Sequence, residues 1–311
     1  MNEVLEIAVP IFGLAALGYI ASRSGSFSDR SAEGLARFVF DWLVPVFLFR
    51  VFSTHALPDE FPWRLLAGFY VPALLMYGSI LVISRAILKN EATVRVVAAM
   101  GSTFGNSVLL GLPLMLLAFG DEEAVSYLIL IAVHTLVLYS ISALTIELLK
   151  HSATGSGSVI RNSVKGLSSN PPLVGIVAGM MFNLSGFDLP GPLERITTYM
   201  ENAVAACSLF ALGASLSRYR VVGRLPETMM VVATKNFLLP ALVWLAAVHV
   251  FELNSAELIA VVVLAAQPTG IMVYIFAERY GTGQRLATTS IFVSSLISII
   301  TVTIFVALLR T

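Results

Sequence analysis

Apolar runs of about 18 residues or more recur along the whole chain, and a run of that length laid out as a helix crosses a hydrocarbon core about 30 Å thick. Ten can be placed, near residues 3–22, 34–52, 64–86, 95–119 and 124–148, then 163–184, 195–217, 226–250, 257–280 and 285–309. They predict an all-α integral membrane protein with ten transmembrane helices. Composition agrees, because only 12% of the 311 residues are charged, against about a quarter in soluble domains. The first run reads as a crossing rather than a cleaved leader, since Glu3 and Glu6 precede its core and Arg23 follows it.

Basic residues orient the crossings, because short cytoplasmic loops accumulate Lys and Arg. The connections after crossings 1, 3, 5, 7 and 9 hold Arg23, Arg30 and Arg37, then Arg85, Lys89 and Arg95, then Lys150, Arg161 and Lys165, then Arg218, Arg220 and Arg224, then Arg279 and Arg285. Of the 19 Lys and Arg this leaves Arg50, Arg64, Arg195 and Arg310 for the other side and Lys235 inside a crossing. The expectation is a multi-pass protein of the cell inner (plasma) membrane with both termini on the non-cytoplasmic side. A formal net charge of zero without a basic stripe argues against nucleic acid.

Other function classes find little support. The single cysteine, Cys207, allows neither an intrachain disulfide nor a thiolate metal cluster. There is no His-Glu-x-x-His pair, no Asp-rich diphosphate motif and no Gly-x-Ser-x-Gly elbow, so the chain is not read as an enzyme, and no cofactor or metal is expected. A channel would call for a repeated filter loop or a ring of like charges, and neither is present in the sequence.

The most polar long connection, 150–162, divides the crossings five and five, giving repeats at 1–149 and 163–311 with a cytoplasmic linker between them. An odd number of crossings per half makes the second half start from the opposite face, so the repeats must be inverted, as in many secondary transporters. Pro10-Ile11-Phe12-Gly13 recurs as Pro172-Leu173-Val174-Gly175, and Asn106 and Pro268 share the spacing, 172 − 10 and 268 − 106 both being 162.

Crossings 4 and 9 carry helix breakers near their middles: Gly101 to Ser107 followed by Gly111-Leu112-Pro113, and Gln267-Pro268-Thr269-Gly270. A single such residue is usually a packed kink. Matching breaks in two inverted halves instead point to a transport site. A broken helix exposes unpaired N–H groups where its second half begins, with about half a positive charge. If both second halves begin near the midplane, near Ser107 and Thr269, two positive ends converge, a setting for a carboxylate. Asn106, Ser107, Gln267 and Thr269 add amide and hydroxyl groups, and no acid lies in either break. Gly105, Gly111, Pro113 and Gly270 are read as the residues that break the helices.

Lys235 lies about 13 Å into crossing 8, counted at about 1.5 Å per residue from Pro226. It either balances a substrate's charge or pairs with an acid or with carbonyl ends. Asn236 beside it suits a bond between helices. Asp41 and Glu201 look deep, and each is a proton-coupling site, a structural partner of a basic residue or an interfacial group at a helix end, whereas His134, among Leu and Val, suits a neutral hydrogen-bonded imidazole better than a proton relay.

Phe104-Gly105-Asn106-Ser107 with Gly111-Leu112-Pro113, Ala266 to Gly270 running on through Phe276-Ala277-Glu278-Arg279-Tyr280-Gly281, and Phe210 to Leu216 together resemble the auxin efflux carrier family, which includes plant auxin exporters and bacterial malonate and malate permeases. The resemblance implies two inverted five-helix repeats in the fold shared with bile-acid symporters. Crossings 1, 2, 6 and 7 would form a scaffold, and crossings 3–5 and 8–10 would form a moving transport domain. It implies a small organic anion as substrate, carried by an elevator-type movement and bound where crossings 4 and 9 meet. Asn106 matches the asparagine that contacts the carboxylate, and Pro268 the proline of the second break. Where the plant carriers have proline before that asparagine, this chain has Gly105. Membrane lipid, a coupling proton or sodium, and a homodimer through the scaffold helices complete the expected partners. The alternative within the transporter class is a sodium- or proton-coupled symporter of the bile-acid type.

Overall fold

In lipid, a spanning backbone must satisfy its own hydrogen bonds, and every regular element among the described residues is helical. The computed structural model describes residues 2–54, 61–149, 171–219, 221–222 and 225–310. Among these there is no strand, only one isolated antiparallel bridge between Gly105 and Thr269. The linker expected at 150–162 and the first part of crossing 6, 163–170, lie outside the described residues.

The helices are α1 (Asn2–Arg23), α2 (Asp29–Phe38), α3 (Val44–Thr54), α4 (Trp63–Ala86), α5 (Ala92–Gly101), α6 (Leu112–Ala118), α7 (Asp121–Leu149), α8 (Pro171–Leu184), α9 (Gly191–Leu216), α10 (Leu225–Ala233), α11 (Leu239–His249), α12 (Ser255–Ala266), α13 (Met272–Arg279) and α14 (Gln284–Leu309). Four stretches are long and apolar enough to cross a membrane, namely Trp63–Ala86, Glu123–Leu149, Leu225–His249 and Gln284–Leu309, and shorter apolar helices accompany them. The chain is a multi-pass membrane protein.

Three segments widen to a π-helix: Val39–Leu43, Ser107–Gly111 and Thr234–Leu238. Each is followed two residues on by proline, at Pro45, Pro113 and Pro240. Proline has no N–H for the carbonyl four residues back. A wider turn lets a following N–H reach instead, and single π turns mark functional positions in many helices.

Two compact units emerge, one from Met1–Pro62, Val108–Ala132 and Val164–Arg218, the other from Trp63–Ser107, Val133–Ser163 and Tyr219–Thr311. The expected scaffold and transport grouping divides the chain differently at 108–132, which falls here with the helices of crossings 1, 2, 6 and 7. In the first unit, backbones meet across glycines, the way membrane helices pack when apolar side chains gain nothing by leaving lipid. A Cβ at Gly18 would lie 2.1 Å from the Phe210 carbonyl oxygen, and one at Gly213 only 1.7 Å from that of Ala15, which seats α1 on α9. Gly175 and Gly179 bring α8 equally close to the backbone of Pro45 and Phe49 in α3. Glu201 pairs with Arg50 at 2.7 Å in this unit, and Arg50 also donates to Thr198 Oγ1 at 2.6 Å. The structural option for Glu201 is therefore the one its geometry matches, whereas Asp41, expected to lie deep, is exposed on the surface of its unit.

Candidate functional site

The second unit holds both chain breaks. Crossing 4 leaves its helix after Gly101 and unwinds over 102–106, and crossing 9 leaves after Ala266 and unwinds over 267–271. Gly111 and Pro113, expected among the breakers, lie beyond the unwound stretch in the resumed helix, where Pro113 sits at the first turn of α6. The second half of crossing 9 begins at Met272, just past Thr269, with Ile271 as a cap that offers no side-chain bond.

The two breaks bond to each other through the backbone. Asn106 N–H donates to the Pro268 carbonyl at 2.9 Å, and Gly270 N–H donates to that of Phe104 at 2.9 Å. This reciprocal pair makes Gly270 obligatory, since a Cβ there would lie 2.7 Å from the Gly105 carbonyl oxygen. The Gly105 N–H is accepted by His134 Nε2 at 3.3 Å. That bond fixes His134 as a neutral imidazole with its proton on Nδ1, in keeping with its burial among Phe69, Tyr70 and Phe104, whose ring centroids lie 5.5, 6.3 and 4.7 Å from its own.

The polar side chains at the breaks divide into those already engaged and those left open. Thr269 spends its N–H on Ser294 Oγ and its hydroxyl on the Gly101 carbonyl, both at 3.0 Å. Thr269 therefore ties the break together, and no donor of its own remains for a ligand. Gln267 donates through Nε2 to the Val263 carbonyl at 2.9 Å, leaving Oε1 buried without a partner. Asn106 is 6% exposed, and its Nδ2 has no acceptor. Ser107 is also buried.

Lys235, in the π turn of crossing 8, is fully buried. Its Nζ donates to the Ala265 carbonyl at 2.5 Å, in the last turn of α12, where the helix dipole is negative. A Cβ at Gly105 would lie 3.6 Å from that nitrogen. No carboxylate among the described residues is within ion-pair distance of it. Asn236 next to it donates to the Ser294 carbonyl at 3.0 Å, so the expected bond between helices is present.

A family model described as "Membrane transport protein" matches residues 3–306. The chain belongs to this family, that of the auxin efflux carriers. A protein of Rhizobium meliloti (strain 1021) named "Putative malonate transporter" is 24% identical over 311 residues, covering 100% of this chain and 97% of the relative. The Arabidopsis thaliana protein named "Auxin efflux carrier component 8" is 18% identical over 352 residues, covering 96% and 95%, and "Auxin efflux carrier component 5" is 20% identical over 332 residues, covering 96% and 94%.

One contributor to the crossover, Ser294, and the partner of another, His134, are not read from the sequence. Ser294 supports both Thr269 and Asn236. A signal for it is in the sequence, since Ser290, Ser294 and Ser298 recur every four residues and so lie on one face of the helix. His134 was noticed, but its partner, the N–H of Gly105, lies 29 residues away, and no local pattern announces that distance.

Proposed function

We propose that the protein is a secondary active transporter of small organic anions, mono- or dicarboxylates of the malonate and malate kind, with the carboxylate bound at the crossover of the two broken helices. The observation that carries this reading is a buried, polar crossover that holds a lysine and, among the described residues, no acid within ion-pair distance of it. Asn106 Nδ2 is an unspent buried donor, and among the described residues the Lys235 Nζ donates to the Ala265 carbonyl and meets no carboxylate. An unspent buried N–H costs about 1–3 kcal/mol, a cost that an arriving oxygen ligand removes. An uncompensated ammonium likewise favours an anion. Asn106 and Lys235 are assigned to substrate. Ser107 and Gln267 line the site, and Pro268, Thr269, Gly105 and Gly270 hold its shape.

This reading retains ten crossings in two inverted repeats, with both termini outside the cytoplasm in the inner membrane. Transport proceeds by elevator-type alternating access, crossings 3–5 and 8–10 moving against 1, 2, 6 and 7. The shared spacing of Pro10 with Pro172 and of Asn106 with Pro268 supports the repeat. A homodimer through the scaffold helices belongs to the same reading.

The test is uptake of labelled malonate, malate and indole-3-acetate into proteoliposomes. Wild type is expected to show saturable uptake of one acid, and Asn106→Ala to lose at least about tenfold in kcat/KM. Uptake by Asn106→Ala equal to wild type, or movement of cations with no acid moved, would sink the crossover site.

A further inference from the structure

We propose that His134 and Ser294 are paired positioning residues of the crossover: each reaches in from the next long helix along the chain, α7 or α14, and holds the break that precedes it through one accepted hydrogen bond. This rests on the reading of the crossover as an anion site and adds to it the groups that aim its donors.

The backbone leaves two places to be held. Gly105 and Thr269 face each other in the antiparallel bridge. The hydrogen bonds of that bridge run from the Asn106 N–H to the Pro268 carbonyl and from the Gly270 N–H to the Phe104 carbonyl, so the N–H groups of the facing pair point away from it. Both residues are buried, and a buried N–H needs an acceptor. In the first break the N–H groups of Ser102, Thr103 and Phe104 turn back onto the end of α5, to the carbonyls of Ala98 and Met100. Gly105 alone goes to a side chain, His134 Nε2 at 3.3 Å. In the second break the Thr269 N–H goes to Ser294 Oγ at 3.0 Å. One device therefore serves both breaks, with the acceptor 29 residues downstream in one and 25 in the other.

The acceptors are themselves held in place. The His134 ring is fully buried, with the Phe104 ring centroid 4.7 Å away and that of Phe69 5.5 Å away. The Ser294 hydroxyl donates to the Ile291 carbonyl at 3.3 Å while it accepts from Thr269, and the Ser294 carbonyl takes Asn236 Nδ2. Each acceptor completes a run of two anchored N–H groups, Gly105 with Asn106 and Thr269 with Gly270. Two consecutive fixed peptide planes fix the Cα–Cβ direction of the residue between them. Asn106 thus presents its open Nδ2 from a rigid base, although His134 has no need to touch the anion.

The deciding variants separate the acceptor from the space it fills. His134→Phe keeps a ring among aromatic neighbours and removes the acceptor, whereas His134→Gln supplies an amide oxygen that reaches about as far as the imidazole Nε2. In uptake of labelled malonate, malate and indole-3-acetate into proteoliposomes, His134→Phe is expected to raise KM at least about tenfold with kcat within about threefold, and His134→Gln to keep KM within about threefold of wild type. Ser294→Ala, which leaves the carbonyl that Asn236 uses, and Ser294→Thr, which keeps the hydroxyl, are expected to repeat the loss and the recovery. Amide hydrogen exchange over residues 102–106 needs no substrate, and is expected to run at least about tenfold faster in His134→Phe than in wild type or His134→Gln. Folded His134→Phe with a wild-type KM overturns the proposal. So do equal losses in the Phe and Gln variants, which would make the role one of packing alone, and unchanged exchange in His134→Phe. If His134→Phe does not fold, the two Ser294 variants decide by the same criteria, with exchange read over residues 267–271. Wild type that moves none of the three acids removes the anion reading and the proposal with it, whereas wild-type uptake matched by every variant removes the proposal alone.

Discussion

The chain unwinds twice over stretches of equal length, and the two helix ends so exposed are closed by different chemistry. After α5 the last four carbonyls are all taken by neutral donors: Ala98 by the N–H of Ser102, Ala99 by the Thr103 hydroxyl, Met100 by the N–H of Phe104, and Gly101 by the Thr269 hydroxyl. After α12 the Val263 carbonyl takes the Gln267 side chain, and Ala265 takes a charged ammonium. The first closure is self-sufficient and indifferent to an arriving ion. The second depends on a charge borrowed from another helix, and an anion bound at the crossover would draw directly on that charge. Breaks that match by position in sequence are therefore closed differently, one by neutral donors throughout and the other in part by a lysine from another helix.

The sharpest way to break this comparison is to separate the two closures. Gly270→Leu places a Cβ 2.7 Å from the Gly105 carbonyl oxygen and 2.9 Å from the Phe104 ring, and a backbone oxygen held in the bridge has nowhere to move. The expected cost is on the order of 3 kcal/mol or more. It should appear as a collapse of the monodisperse peak in size-exclusion chromatography and a lower unfolding temperature. A variant that elutes and melts like wild type would mean that the reciprocal backbone pair does not hold the breaks together.

A milder substitution tests whether the first closure is purely structural. Thr269→Val keeps the shape of the side chain and removes the donor to Gly101, leaving a buried carbonyl bare at a cost of about 1–3 kcal/mol. Stability is expected to fall by that amount while KM for the transported acid stays within about twofold, since the Thr269 donors face the fold rather than a ligand. A large rise in KM with unchanged stability would instead return Thr269 to the substrate.

Much of this architecture was legible in the sequence because lipid imposes simple rules. Apolar length gave the helices, and Gly and Pro in the middle of an apolar run marked both breaks, because a spanning helix otherwise avoids them. The choice between open and engaged side chains was not legible. Asn106 and Thr269 read alike, as polar residues beside a break, yet one keeps an unspent amide and the other is fully engaged with Ser294 and Gly101. That distinction is set by partners 25 and 168 positions away. Gly111 and Pro113 misled for a related reason. A proline that a π turn accommodates, as Ser107–Gly111 does for Pro113, satisfies the same composition rule as one inside a break.

The smallest expected effect is the most informative about how the two closures communicate. Gly105 is the contact point between them: a Cβ there would stand 3.1 Å from the Gln267 Cβ, 3.2 Å from the Leu264 carbonyl oxygen and 3.6 Å from Lys235 Nζ. Gly105→Ala needs the Gln267 Cβ and the Leu264 carbonyl oxygen to yield by a few tenths of an ångström, so stability should fall by about 1 kcal/mol. The backbone bonds of Gly105 to His134 and across the breaks remain available, because alanine keeps the N–H. Any functional change then has to come from the second closure, through pressure on Gln267 and on the carbonyl turn that holds the ammonium. The expected outcome is a change of a few-fold in KM for the transported acid, with kcat and unfolding temperature near wild type. If KM and unfolding temperature are both unmoved, the ammonium tolerates displacement of its carbonyl turn, and the coupling between the two closures is looser than their separation of a few ångströms implies.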